Sequence, residues 1–297
     1  MIAVSQAGSQ YHYLHWIPSE SGPMITQFGN IKGKNENLLD YKQHQHEIFL
    51  EILSNINVDE PIFSFSLDKR NLIISSSYMD ANNPNLFNWY KMQVHDPILD
   101  DAMDYYHYSI QDDYQKKISI AIPKIIRKSI KENLQLLEGR LNSLSTGIFS
   151  AENGARVWFH ASSLDSYVIW KIGNKKQDEI LYVDNDHLSN YFSINRTKNK
   201  VKLNWQFGKD HNVNKICKYI ESLINDDEPL SSPVKKIYLY TCEGKIQDVK
   251  YFMKKDEKNM VLLNPFSVLK IMEIDKVNLY DTLPFAEIGN AFGKIDV

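Results

Sequence analysis

Cysteine is almost missing from this chain. Of 297 residues only Cys217 and Cys242 carry thiols, 25 positions apart, which excludes a disulfide framework and the C-x-x-C spacing of zinc or redox sites. Two free thiols in a reducing compartment are expected. No uninterrupted apolar run approaches the ~20 residues needed to cross a bilayer, and no basic stretch followed by a long apolar one opens the chain. The sequence therefore reads as soluble and cytoplasmic. Neither sign of charge dominates: 34 Lys and Arg stand against 37 Asp and Glu, for a formal net charge of −3. That balance gives no general electrostatic reason to seek nucleic acid or acidic lipid. G-x-S-x-G and H-E-x-x-H are also absent, which removes the commonest local signatures of a serine nucleophile and of a zinc protease.

What is present is globular: 43% apolar and 24% charged residues, in a chain long enough for two domains. Residues 2–5, 10–17 and 24–31 read as strands, with turns at Gly8 and Ser21-Gly22-Pro23. Tyr41, Ile48, Phe49, Ile52, Leu53 and Ile56 then recur at three- and four-residue steps, predicting an amphipathic helix. Ile62–Leu67 and Asn71–Ser77 follow as strands joined by the polar turn Asp68-Lys69-Arg70. The same order returns near Ser163. Strands at 166–172, 178–184, 187–195 and 201–206 precede a helix from about Asp210, a strand at Lys235–Thr241, a helix at Ile246–Met253 and a strand at Met260–Leu263.

Residues 87–150 break the repeat. Leu99–Ile110 is acidic and tyrosine-rich, Lys117–Ile122 reads as a buried strand, and Pro123 opens a helix with an Ile126, Ile130, Leu134 and Leu137 stripe. The expected units are 1–86, an inserted α+β subdomain with a return helix at 87–150, and 151–297. Duplicated mixed sheets flanked by helices, with a cleft between, point to an α/β fold of the ribonuclease-H-like, actin-like ATPase kind.

Four stretches carry a family resemblance: Ile2–Tyr13; Asn88-Trp89-Tyr90 through Tyr105-Tyr106; Ile118–Leu137 with Ala121-Ile122-Pro123-Lys124; and the end of the chain, with Leu263-Asn264-Pro265-Phe266 and Phe285-Ala286-Glu287-Ile288-Gly289-Asn290-Ala291-Phe292. In this order they resemble the PilM family of actin-like proteins from type IV pilus assembly, and more distantly the cytoplasmic domains of type II secretion and the FtsA-like division proteins. The resemblance implies a cytoplasmic adaptor at the inner face of the membrane. Its implied partner is a short cytoplasmic peptide of a membrane-anchored protein (PilN), held near the inserted subdomain, and self-association is open. Phe87, Trp89, Tyr105 and Tyr106 are the groove candidates, since buried aromatic anchors carry much of an interface's energy; for any one of them taken singly, subdomain core is the leading reading.

The resemblance also locates nucleotide loops, which here lack the expected chemistry. The first hairpin of such ATPases carries an aspartate that organises magnesium-bound water. Ser5 or Gln6 stands in that place, followed by Ala7, Gly8 and Ser9. In the second hairpin Lys171 replaces the acid ahead of Gly173 and Asn174, and the adenosine loop retains only Gly244 after Cys242 and Glu243. No cofactor is therefore expected, and the leading expectation is a pseudo-ATPase scaffold. Alternatives are ATP and magnesium bound through substituted ligands, since a lysine can contact phosphate as a point charge, or a phosphotransferase on the same fold. No metal ligands are expected: His12 and His15, and His44 and His46, lack accompanying cysteine or carboxylate patterns. Asp100, Asp101 and Asp104 read as a solvated acidic face, and Gly29–Asn35 as a basic turn one residue short of a Walker loop. Tyr105, Tyr106, Tyr108 and Tyr114 sit among acids that oppose base stacking.

Overall fold

The computed structural model describes residues 1–20, 22–33, 42–78, 103–110, 113–208, 210–225, 230–272 and 278–292. Its first sheet grows from β1 (Ile2–Ala7), β2 (Gln10–Ser19) and β3 (Gly22–Lys32), an antiparallel meander. Helix α1 (Lys42–Asn55) leads to β4 (Ile62–Leu67), which lies parallel to β1. Every residue of β1 is buried, as expected of a strand covered on both faces. Ile48, Phe49 and Ile52 are the buried side of α1, and Ile56 just beyond it is also buried. Phe49 packs 5.5 Å from Phe63 and 6.1 Å from Phe65, ring centre to ring centre.

The second lobe repeats this plan. β9 (Ser166–Lys171), β10 (Gln177–Asp184), β11 (His187–Arg196) and β12 (Val201–Gly208) form an antiparallel run. Helix α4 (Asp210–Ile224) then leads to β13 (Lys236–Tyr240), parallel to β9, and α5 (Ile246–Lys255) to β14 (Met260–Leu262), parallel to β13. With β8 (Arg140–Thr146) and β15 (Lys270–Ile271) at the edges of the first, the sheet orders are β15-β3-β2-β1-β4-β8 and β12-β11-β10-β9-β13-β14. The predicted duplication, and with it the actin-like fold, is thus present strand for strand in the centre of each sheet.

Between the lobes, β5 (Ile73–Tyr78), β6 (Met103–Ile110) and β7 (Asp113–Pro123) make a three-stranded sheet in the order β5-β7-β6. β5 pairs with β7 rather than extending the first sheet. The place beside β4 is taken in parallel by β8 (Arg140–Thr146), so a strand leaving the turn after β4 has no free edge there. Pro123 ends β7 and caps α2 (Lys124–Gln135), whose inner face holds Ile126, Ile130 and Leu134. Gln45 of α1 accepts hydrogen bonds from Ser129 (2.8 Å) and Asn133 (3.1 Å), a buried clamp between α1 and α2.

Helix α3 (Gly147–Phe159) joins the lobes. Neither β8 nor α3 stands out in the sequence: β8 alternates weakly, and α3 contains Gly147 and Gly154, poor helix formers. The chain finally crosses back. β15 (Lys270–Ile271) pairs with β3, and Leu283–Ala291, a 3-10 helix with Pro284 in its first turn, packs on α3 and the first sheet.

Candidate functional site

The β1–β2 hairpin and the turn after β4 meet β10 and the loop after β13 at the cleft between the lobes. Gly8 turns the hairpin with φ +62°, and a Cβ there would lie 2.7 Å from both the Arg70 guanidinium and the Glu243 carboxylate. The left-handed backbone favours glycine, and a Cβ would displace the ends of these two side chains. The Gly8 amide, a phosphate-cradling group in nucleotide-binding hairpins, donates to Asp68 Oδ2 at 2.8 Å. Asp68 also accepts two bonds from the Arg70 guanidinium, at 2.9 and 2.7 Å, and one from the Arg70 amide. Burial alone would raise its pKa, but the hydrogen bonds from Arg70 and Gly8 and the charge of Lys171 pull it down to about 2.

Arg70 then reaches across. Its guanidinium lies 2.8 Å from Glu243 Oε1, in the loop after β13. Beside it Lys69 Nζ lies 2.8 Å from Glu179 Oε1 on β10. Glu179 also accepts the Tyr191 hydroxyl at 2.7 Å; burial opposes its charge, yet Lys171 and Lys69 lower its pKa. Two ion pairs thus join the turn after β4 to the second lobe.

Deeper in the cleft, Lys171 Nζ lies 2.6 Å from Glu287 Oε1, and Tyr240 donates to the same oxygen at 2.9 Å. Glu287 has no solvent exposure, and its Oε2 has no hydrogen-bond partner. Burial would lower the pKa of Lys171, but Glu287 overrides it and holds the ammonium well above its ordinary value. The same carboxylate, added to burial, pushes the Tyr240 hydroxyl and the Cys242 thiol up. Cys242 is therefore a poor nucleophile.

The remaining sequence candidates occupy the cleft walls. Ser5 is buried, its Oγ without a partner. Gln6 donates to the Gly8 carbonyl at 3.3 Å and accepts from Asn71 at 3.0 Å. Ala7 is buried and the Ser9 carbonyl accepts the Gly33 amide. Gly173 donates its amide to Asp178, and Asn174 accepts the Lys175 amide. The Gly244 amide donates to Thr241, whose hydroxyl donates to the Ile172 carbonyl, so the loop after β13 is tied to the second hairpin. Phe87, Trp89, Asp100 and Asp101 lie outside the described residues. Tyr105 and Tyr106 lie on β6 opposite Ala121 and Ile120, and Asp104 opposite Ile122. Gly29–Lys32 belongs to β3, not to a turn, because it pairs with Tyr13–Gln10 of β2.

Asp68, Arg70, Glu179 and Glu287, which organise the cleft, were not singled out by sequence. Asp68-Lys69-Arg70 has the composition of any polar turn. One signal was legible: Glu287 is the single charge in the otherwise apolar or small run Pro284–Gly289, and a charge on a packed face needs a partner.

These residues do not fit a magnesium-bound triphosphate. Magnesium is held by carboxylate oxygens together with phosphate, but Asp68, Glu179, Glu243 and Glu287 are each committed to a cation of the chain itself. Among the described residues, no group of three or more His, Cys, Asp or Glu is placed to hold a metal ion, and no helix is long and apolar enough to cross a membrane.

No family model matches the chain, and no curated protein matches it. Among solved structures, the PilM-PilN type IV pilus biogenesis complex aligns over 98% of this chain and 97% of that one, with 11% identity and a TM-score of 0.59. The cytoplasmic domain of EpsL, an inner-membrane component of the type II secretion system of Vibrio cholerae, aligns over 96% and 93%, with 10% identity and a TM-score of 0.43. A Bacteroides thetaiotaomicron protein of actin-like ATPase fold and unknown function aligns over 91% and 90%, at 9% identity and a TM-score of 0.41. The chain shares the fold of PilM over nearly its whole length.

Proposed function

We propose that this chain is a cytoplasmic, actin-like scaffold of a type IV pilus or related secretion machine, one that binds a short peptide of a membrane-anchored partner and does not turn over nucleotide. The observation that carries the non-catalytic reading is the commitment of Asp68, Glu179, Glu243 and Glu287 to Arg70, Lys69 and Lys171. Ser5–Ser9, Lys171, Gly173, Asn174 and Cys242–Gly244 are then relics of nucleotide loops that now serve packing.

The partner class comes from the fold shared with PilM, solved as a complex with PilN. Support within the chain comes from the small sheet, where β5 and β6 are the outer strands among the described residues. An extended peptide adds to such an edge through main-chain hydrogen bonds, with aromatic pockets setting specificity. Phe87, Trp89, Tyr105 and Tyr106 are the proposed pocket residues.

A second reading, nucleotide held through substituted ligands, is favoured by one feature. A cavity of about 350 Å³ beside the second hairpin is lined by Gly173, Asn174, Lys175, Lys176, Lys245 and Asp248. Two measurements on the full chain separate the readings. Anisotropy with a labelled peptide from the cytoplasmic tail of a single-span pilus or secretion protein is expected to show micromolar binding, and calorimetry with Mg-ATP none. Micromolar Mg-ATP binding by the folded chain, with no binding of the tail peptide, would replace the scaffold by the nucleotide-binding protein.

A further inference from the structure

We propose that the chain carries its own latch between the lobes: Arg70–Glu243, Lys69–Glu179 and Lys171–Glu287 hold them closed. Three features carry this. The pairs come from different depths, two at the turn after β4 and one at the buried floor. Each includes a residue of the second lobe: Glu243 after β13, Glu179 on β10 and Lys171 on β9. Their partners belong to the first lobe or to the segment packed on it.

Asp68 makes the latch specific. It fixes the Arg70 guanidinium through paired hydrogen bonds and holds the Gly8 amide at the same time. Arg70 is therefore oriented towards Glu243 before the lobes meet, which reduces the side-chain entropy lost on closure. Exposure grades the three pairs. Lys171 and Glu287 are 16% and 0% exposed and form a floor contact shielded from salt, whereas Arg70 and Glu243 are both 39% exposed. Closure of the rim is accordingly sensitive to ionic strength and the floor is not. Lobe closure is set by side chains already present, whichever partner the protein serves.

Hydrogen exchange and small-angle scattering of the full chain test this with Glu243→Lys, Lys69→Glu and their combination. These substitutions place like charges across the rim and leave the Asp68–Arg70 bonds and the floor pair in place. Exchange in segments 5–9 and 171–177 is expected to rise about tenfold in each single variant, the equivalent of 1.4 kcal/mol of coupling. The double variant is expected to exchange faster and to have a larger radius of gyration, with amides of α2 unchanged. Glu243→Gln, which removes the attraction without repulsion, is expected to give a smaller rise in the same segments. Mg-ATP added to the unaltered protein is expected to change neither readout. Unchanged exchange across the cleft in the folded double variant would overturn the latch, and so would protection of those segments by Mg-ATP.

Discussion

At the scale of single residues, the cleft is governed by the difference between a paired and an orphaned buried charge. Glu287 is fully buried, and Lys171 is its sole cationic contact among the described residues. Lys171→Met strands that carboxylate in a low-dielectric site and is expected to cost about 3–5 kcal/mol, read by urea unfolding. Lys171→Met with Glu287→Leu removes both charges and is expected to recover most of the loss. Deep burial also acts on His12, which packs on Phe285 and has no partner for Nε2. Burial lowers its pKa to about 4 from 6.5. Between those values the unfolded chain binds the proton and the folded one does not, so stability is intact above pH 6.5 and falls as pH drops towards 4. His12 contributes roughly 3 kcal/mol to that loss. The slope of unfolding free energy against pH over this window is expected to flatten in His12→Phe. His15, also lowered to about 4 by burial and by the N-terminal ammonium, accounts for the slope that remains.

At the scale of elements, the second hairpin depends on the absence of a side chain. A Cβ on Gly173 would lie 1.7 Å from the Gln177 carbonyl oxygen, a collision with backbone that no rotamer relieves. Gly173→Ala is expected to cost about 1–3 kcal/mol or more, with faster exchange confined to β9 and β10. The hairpin is held from the other side by Asp178, which accepts the Gly173 amide, the Trp170 indole and the Arg196 guanidinium. Hairpin, helix and strand identities here follow local pattern. Sheet membership does not: β5 looks like a partner for β4 until β8, a weakly patterned strand 62 positions beyond the end of β5, takes that edge.

For the whole molecule, the closing segment is as much part of the first lobe as of the second. Leu283, Phe285, Ala286, Ile288 and Ala291 are buried. Ser150 of α3 donates to the Glu287 carbonyl at 2.6 Å, and Asn290 donates to the Phe65 carbonyl and to Ser143. Burying a large apolar side chain contributes about 1.5–3 kcal/mol, against a total stability of about 5–15 kcal/mol for a domain. Deleting residues 281–297 is therefore expected to unfold the first lobe and to leave Lys171 unpaired. Amide exchange is expected to rise through β1, β4 and β8, with protection retained in β10, β11 and α4.

The sequence by itself determined the repeat. Buried strands, two amphipathic helices and turn residues recur in one order, because alternation and 3.6-residue periodicity are local consequences of which face meets the core. It also determined that Ser5–Ser9 and Lys171–Asn174 carry no acid, since identity at a position needs no coordinates. Which charges meet beside them was decided only by tertiary structure. Arg70 and Glu243 are 173 positions apart and Lys171 and Glu287 are 116 apart; local pattern marks Glu287 as a charge in need of a partner but names none, and it marks Arg70 and Glu243 not at all. They become partners because two separately patterned lobes close on each other, and burial then makes each charge costly without the other.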